Sequence, residues 1–189
     1  MNTAQNIDLV SVEDYLVAEL ASPIKHEYLG GVLYAMSGGR NRHNQIATNA
    51  LVSLGGQLRG QICRPFNSDT KIRIRLPNHL RFYYPDLSVV CRPNSPEETF
   101  QDDPVVVVEV LSKSTRRVDE GEKKEAYLAI PSLCAYLLVE QESATVVSFR
   151  RTDQGFLRQV FRGLESVIPL PEIGANLPLG ELYDGIELA

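Results

Sequence analysis

Glu109 interrupts the run Val105-Val106-Val107-Val108-Glu109-Val110-Leu111, where a strand buried on both faces should be apolar throughout. An unpaired carboxylate is too costly to bury, so Glu109 has to meet a cation, a hydrogen-bond network or water at a sheet end. A salt bridge to an arginine is the plain structural alternative. Asp86 follows Pro85 at the head of DLSVVC and shares one strand face with Ser88 and Val90. If its strand neighbours that of Glu109, two carboxylates converge, and Mg2+ characteristically takes one or two carboxylates plus waters and phosphate oxygens. Pro-Asp is equally a common turn pair.

A cation is available from the segment VDEGEKKEAYLAI. Asp119, Lys123 and Tyr127 recur there at i, i+4 and i+8, and Ala126 and Ile130 complete the same helical stripe. Lys123 therefore falls on an apolar face, where it either snorkels outward or meets the carboxylates, while Lys124 points away. Two structural readings compete: an Asp119–Lys123 bridge worth about 0.2 to 0.5 kcal/mol, and Asp119 as an N-cap with Glu122 completing a capping box. An acidic pair with a nearby ammonium suits metal-assisted phosphodiester hydrolysis. The metal lowers the pKa of water and stabilises developing charge, and lysine orients or stabilises the nucleophile.

Basic residues are unevenly spread. Residues 40 to 92 hold nine Lys or Arg against Asp69 and Asp86, a net of +7, so the rest of this −5 chain carries −12. Such asymmetry permits a polyanion on one side and is equally compatible with a solvated basic face. Lys71, Arg73 and Arg75 alternate in TKIRIRL and project from one strand face, and Arg116 and Arg117 precede the lysine-bearing helix. These five are the candidate phosphate contacts, of the salt-dependent kind that reads no sequence. An exposed edge strand is the competing explanation.

The elements that must position these side chains follow from periodicity. Ser11 and Asp14 open a short N-terminal helix, VEDYLVAEL, which ends at Ser22-Pro23. EYLGGVLYAMSGG alternates around Gly30-Gly31, the pattern of a hairpin or of a strand with a tight turn. Ile46, Ala47, Ala50, Leu51, Leu54 and Leu58 mark a long helix from Arg40 to about Gly60. Strands are expected in ICRPFNS, TKIRIRL, FYYPDLSVVC and VVVVEVL, then a helix stopped by Pro131, then strands in LCAYLLVE and ATVVSFR. The tail, with Pro169, Pro171 and Pro178, reads as a β-rich appendage.

At 189 residues with 43% hydrophobic and 23% charged residues, the chain fits one domain with an ordinary core. The start lacks a basic region followed by an apolar stretch, and no run approaches the roughly 18 apolar residues of a membrane span. Cys63, Cys91 and Cys134 are odd in number and far apart, which suits neither a disulfide framework nor a zinc site and points to a reduced, cytoplasmic setting.

YYPDLSVV, PVVVVEVLSKSTRRVDEGEKKEAY and AYLLVE resemble the Uma-two-like family of the PD-(D/E)xK restriction-endonuclease-like superfamily. The resemblance covers most of the chain. It implies a single α/β domain over residues 1–189: a central mixed β-sheet flanked by helices, with extra N-terminal strands and the β-rich C-terminal part. It also implies that Asp86 and Glu109 bind a divalent metal, Mg2+ or Mn2+. The superfamily's usual lysine lies two residues after the second acid, a position held here by Leu111. The Uma-two-like pattern instead carries a lysine on the next helix in a D-x-x-x-K-x-x-x-Y spacing, matched by Asp119, Lys123 and Tyr127. HEYLGGVLYAMSGG and His43 are similar to the family's opening segment, in which an acidic residue, here Glu27, can join the site. His43, sharing a helical face with Ala47, Ala50 and Leu54, reads from periodicity as a packed histidine. The expected activity is DNA endonuclease, and cleavage of both strands would suit a two-fold homodimer. The alternatives are a non-catalytic nucleic-acid-binding or assembly module on the same fold, and a hydrolase of another phosphorylated substrate.

Overall fold

The computed structural model describes residues 9–112 and 116–188; the extreme N-terminal stretch read above for a leader lies outside them. Ser11 caps the first helix, α1 (Val12–Ala21), by accepting from the Asp14 N–H at 3.0 Å. β1 (His26–Leu29) and β2 (Val32–Ala35) form the expected hairpin, with Leu29 opposite Val32. Its two-residue turn requires positive φ twice, and Gly30 (+58°) and Gly31 (+104°) supply it. The long helix follows as α2 (Asn41–Gln57), burying Ile46, Ala50 and Leu54.

The next strands are β3 (Arg64–Asn67), β4 (Lys71–Arg75), β5 (Leu80–Tyr83) and β6 (Leu87–Val90). FYYPDLSVVC, expected as one strand, is two: the chain leaves β5 at Tyr84-Pro85-Asp86 and enters a different sheet. Pro85 cannot donate a ladder hydrogen bond, which makes it a natural crossing point. Beyond the loop lie β7 (Phe100–Gln101), β8 (Pro104–Val110), β9 (Ala135–Val139), β10 (Thr145–Thr152), β11 (Gly155–Arg162), β12 (Val167–Leu170) and β13 (Ala175–Pro178).

Six strands form a mixed central sheet in the order β11-β10-β9-β8-β6-β3, with β8 and β9 parallel and the other neighbours antiparallel. The N-terminal strands build a second sheet, β2-β1-β5-β4-β7. Alternation along β8 assigns its side chains to two cores. Val106, Val108 and Val110 join α2 and the C-terminal residues Ile168, Leu170, Leu177 and Leu182 on one face. Val107 and Leu111 join Ile72 and Ile74 of β4 and the helical Ala126 and Tyr127 on the other. The C-terminal part is β-rich, as expected, and is packed into the core: β12, β13 and a last helix, α5 (Leu179–Leu182), close over α2.

The second helical segment is broken. Arg116–Asp119 form one short helix, α3, and Glu122–Leu128 another, α4. Gly121 sits at the break, where a Cβ would lie 2.8 Å from the Arg117 carbonyl oxygen, so only glycine allows this approach. Asp119 is consequently not an N-cap: it is the buried last residue of α3, and Gly121 occupies the cap of α4.

The cysteine reading is corrected. Cys63 and Cys91 form a disulfide, because β3 and β6 pair antiparallel with Arg64 opposite Val90 and so bring the flanking cysteines together. Cys134 remains a free thiol. The inference of a reduced compartment drawn from the cysteines thereby loses its premise. Among the described residues no helix is long and apolar enough to cross a membrane.

Candidate active site

Three elements deliver carboxylates to one point. β8 carries Glu109, opposite Leu138 of β9, on the face that also holds Val107 and Leu111. The Tyr84-Pro85-Asp86 crossing presents Asp86 at the entry to β6, where its Oδ2 accepts from the Val110 N–H at 2.7 Å. β1 contributes Glu27, whose Oε1 accepts the Tyr84 N–H at 3.4 Å and is thereby tied to the same crossing.

Lys123 of α4 ties Glu109 to Glu27. Its Nζ lies 2.9 Å from Glu109 Oε1, 3.0 Å from Glu27 Oε1 and 3.8 Å from Asp119 Oδ1, and 5.4 Å from the centre of the Tyr83 ring. Lys123 and Glu109 are only 6% and 4% exposed, so each needs the other. Arg81 steadies the helix by pairing with Glu122, the first residue of α4, at 2.9 Å. Leu111, which holds the superfamily's lysine position, is core.

The electrostatics follow from burial and crowding. Burial, with Asp119 and Asp86 nearby, pushes the Glu109 carboxyl well above the ordinary range even though Lys123 opposes it. Burial alone would lower Lys123, but the carboxylates of Glu109, Glu27 and Asp119 outweigh it and keep the ammonium charged. Lys123 is thus a fixed positive charge and not a proton acceptor.

His43, expected as a packed residue, belongs to the site. Its Nε2 lies 3.2 Å from Asp86 Oδ2 and its Nδ1 lies 3.3 Å from Asn44 Oδ1, the Asn44 amide nitrogen being committed to the Gly39 carbonyl. Both ring nitrogens therefore face acceptors, which favours imidazolium. Burial opposes that charge, but Asp86, Asn44 and Asp119 raise the ring above its ordinary pKa. A polar residue on an otherwise apolar helix stripe was the available signal; its partner, 43 positions onward, was not visible in any period.

Asp86, Glu109, Asp119, Lys123 and His43 line one cleft of about 950 Å³, together with Arg40, Arg42 and Arg116. Glu27 reaches the cluster from behind through Lys123. Tyr127, the third member of the spacing, is packed between the Tyr83 and Tyr136 rings, and its hydroxyl has no hydrogen-bond partner among the described residues.

The basic candidates divide. Arg73 makes a two-pronged pair with Asp102 (2.7 and 2.8 Å), which also holds the exposed Arg75 at 2.7 Å, so one carboxylate is shared between two guanidinium groups. Lys71 is buried beside a second cleft. Arg116 lines the main cleft but is paired to Glu140 and Glu120, whereas Arg117 is exposed. Arg40 and Arg42, not singled out from the sequence, are exposed at the mouth of the main cleft.

Among the described residues no three His, Cys, Asp or Glu side chains are placed to hold a metal ion. The donor chemistry nevertheless suits a hard dication. Asp86 keeps Oδ1 without a hydrogen bond among the described residues, and the raised Glu109 carboxyl is what a nearby dication would lower. Two carboxylates completed by waters or substrate oxygens is an ordinary Mg2+ arrangement.

A mixed sheet flanked by helices, with acids at a sheet end and a helix-borne lysine between them, defines a nuclease-like α/β protein. A solved neighbour carries the same fold: the chain described as a putative nuclease belonging to DUF820 from Anabaena variabilis ATCC 29413. It superposes with a TM-score of 0.69 over 89% of this chain and 97% of that one, at 18% identity. Residues 12–180 match the model of the Uma2 family, described as "Putative restriction endonuclease". The Synechocystis sp. (strain ATCC 27184 / PCC 6803 / Kazusa) protein slr1290 is 35% identical over 94% of this chain and 93% of its own length. A second protein of that organism, sll1609, is 27% identical over 70% and 76%. The chain belongs to the Uma2 family.

Proposed function

We propose that this chain is a divalent-metal-dependent DNA endonuclease whose working groups are Asp86, Glu109 and Lys123. The observation that carries the reading is the 2.9 Å contact from Lys123 Nζ to Glu109 Oε1 at the floor of the cleft that Asp86 lines. Asp86 and Glu109 would hold Mg2+ or Mn2+; when bound, the cation supplies Lewis acidity and a more acidic water. The chain's own residues do the rest. The Lys123 ammonium, held protonated by its acidic neighbours, offers positive charge to the attacking water and to the negative charge on the phosphoryl oxygens. His43 and the Val110 N–H fix Asp86 through Oδ2 and leave Oδ1 directed to a ligand. Glu27 and Asp119 position Lys123. The water oxygen bonds to phosphorus as the bond to the leaving oxygen breaks; the water's proton passes to solvent, and the leaving oxygen takes up one from solvent.

The test is cleavage of supercoiled plasmid and single-stranded DNA with Mg2+ or Mn2+, comparing the native chain with Asp86→Asn and with a chelator control. Metal-dependent cutting lost in the variant supports the reading, and equal cutting by both sinks it. A second reading, a nucleic-acid-binding or assembly module without hydrolysis, is favoured by one observation: Lys123 already pairs with Glu109, so that carboxylate has a counter-charge without a metal. Binding that persists in chelator, with no cutting under any metal, would select it.

A further inference from the structure

Behind the main cleft lies a second one of about 850 Å³, and Tyr84 lines both. Its wall contains Lys71, the first residue of β4, which is only 4% exposed. Unlike Lys123, Lys71 forms no hydrogen bond or ion pair among the described residues. Its Nζ rests 5.4 Å from the Tyr84 ring centre and feels the Glu19 charge. Glu19 does not satisfy it: that carboxylate is taken by the His26 N–H (2.7 Å), His26 Nδ1 (3.0 Å) and the Tyr84 hydroxyl (2.9 Å). Burial lowers the Lys71 pKa, as expected of a cation with no direct counter-ion.

An ammonium carries three donors, and a buried one left without acceptors is expensive. Here the donors open onto a cleft that also holds Arg64, which is exposed and makes no ion pair among the described residues, and the hydroxyls of Thr70 and Thr99. Glu19, Asp69 and Glu98 line it as well; Glu19 is engaged by His26 and Tyr84 and Asp69 pairs with Lys25 at 2.5 Å, which leaves Glu98 as the carboxylate facing Lys71 and Arg64. Two cations and two hydroxyls about one space match a tetrahedral oxyanion better than a planar or apolar ligand. The cleft adjoins the candidate active site through Tyr84, the residue two positions before Asp86.

We propose that the Lys71 cleft is a phosphoryl-oxyanion site, which holds a phosphate of the substrate strand beyond the one at Asp86. The identity of the strand rests on the nuclease reading; the oxyanion site does not.

The experiment is acetylation of the intact chain in chelator, where no hydrolysis is needed. Lys71 labelling is read by mass spectrometry against Lys124 as internal reference. Inorganic phosphate, a deoxynucleoside monophosphate and a 12-nucleotide single strand are compared at matched ionic strength in NaCl. The expected result is at least a fivefold loss of Lys71 labelling with the oligonucleotide, partial loss with the small anions and none with NaCl. Protection by the small anions with nothing further from the oligonucleotide overturns the strand assignment, and protection by none of the three overturns the site. Lys71→Met, with Lys71→Arg as the charge-keeping control, should lower the log–log salt slope of oligonucleotide binding by about one; an unchanged slope in a folded Lys71→Met chain also overturns it. A chain that cuts nothing but protects Lys71 would fail the nuclease proposal while retaining this one.

Discussion

Lys123 Nζ, on a helix, stands 2.9 Å from Glu109 Oε1, on a buried strand, so the cation absent at Leu111 reaches the acid from another element. Moving the charge from strand to helix makes it answerable to two layers at once, because Glu27 on the other sheet holds the same nitrogen at 3.0 Å.

Lys123→Met should therefore be a stability variant as well as an activity variant. Removing one partner leaves Glu109, Glu27 and Asp119 uncompensated, at a cost of about 3 to 5 kcal/mol at neutral pH. The native Glu109 pKa already lies above its unfolded value, and loss of Lys123 raises it further. The protonated form is then the one the fold tolerates, so the deficit should shrink as pH falls towards the carboxylate range and grow as it rises. Thermal denaturation from pH 5 to 8 measures this, and a deficit independent of pH would contradict it.

Asp86→Asn should keep the fold and lose at least 100-fold in metal-dependent cleavage, since the amide keeps an oxygen for Val110 N–H and removes the ligand charge. Chelation of the native chain should do the same, reversibly on adding Mg2+.

Tyr127→Phe separates packing from chemistry. The Tyr127 hydroxyl is buried without a partner among the described residues, so its removal should stabilise the chain by about 1 kcal/mol and leave cleavage unchanged. A tenfold loss of cleavage would give the hydroxyl a role in the reaction instead.

Asp102 makes an acid-sensitive tie. Although burial pushes it up, the Arg73, Asn94 and Arg75 groups around it hold its carboxyl below the ordinary value. A depressed native pKa adds stability above the unfolded pKa of about 3.9 and loses it as pH falls through the native value. Asp102→Asn should thus cost about 2 kcal/mol at pH 7, with the gap to the native chain closing below about pH 4. Denaturant titrations at the two pH values check it.

Reduction of Cys63–Cys91, which are 28 residues apart, should cost about 3 to 4 kcal/mol on loop-closure grounds. The Cys63→Ser/Cys91→Ser chain should show the same midpoint with and without reductant.

What could be seen in advance was local. The Gly30-Gly31 hairpin, α2 and the Lys123 stripe follow from residues one or two turns apart, and Glu109 stood out because its neighbours are valines. What escaped depends on contacts distant in the chain. Asp102 captures Arg73 and Arg75 from 27 to 29 positions away, a pairing that no sequence period shows. Cys63 and Cys91 meet only because β3 and β6 pair, and His43 reaches Asp86 only because α2 lies against that sheet. The break at Gly121 was legible as a glycine, but the helical period across it masked the interruption.

The crossing at Tyr84-Pro85-Asp86 ties the chemistry to the architecture. One short stretch sets both the passage of the chain between sheets and the place of Asp86. It also contributes Tyr84 to the two clefts on either side. A residue inserted there could not adjust the packing and spare the reaction. Length differences between relatives should therefore be found in the loops around the clefts and not at this joint, which behaves as a hinge pin whose length is not free to change.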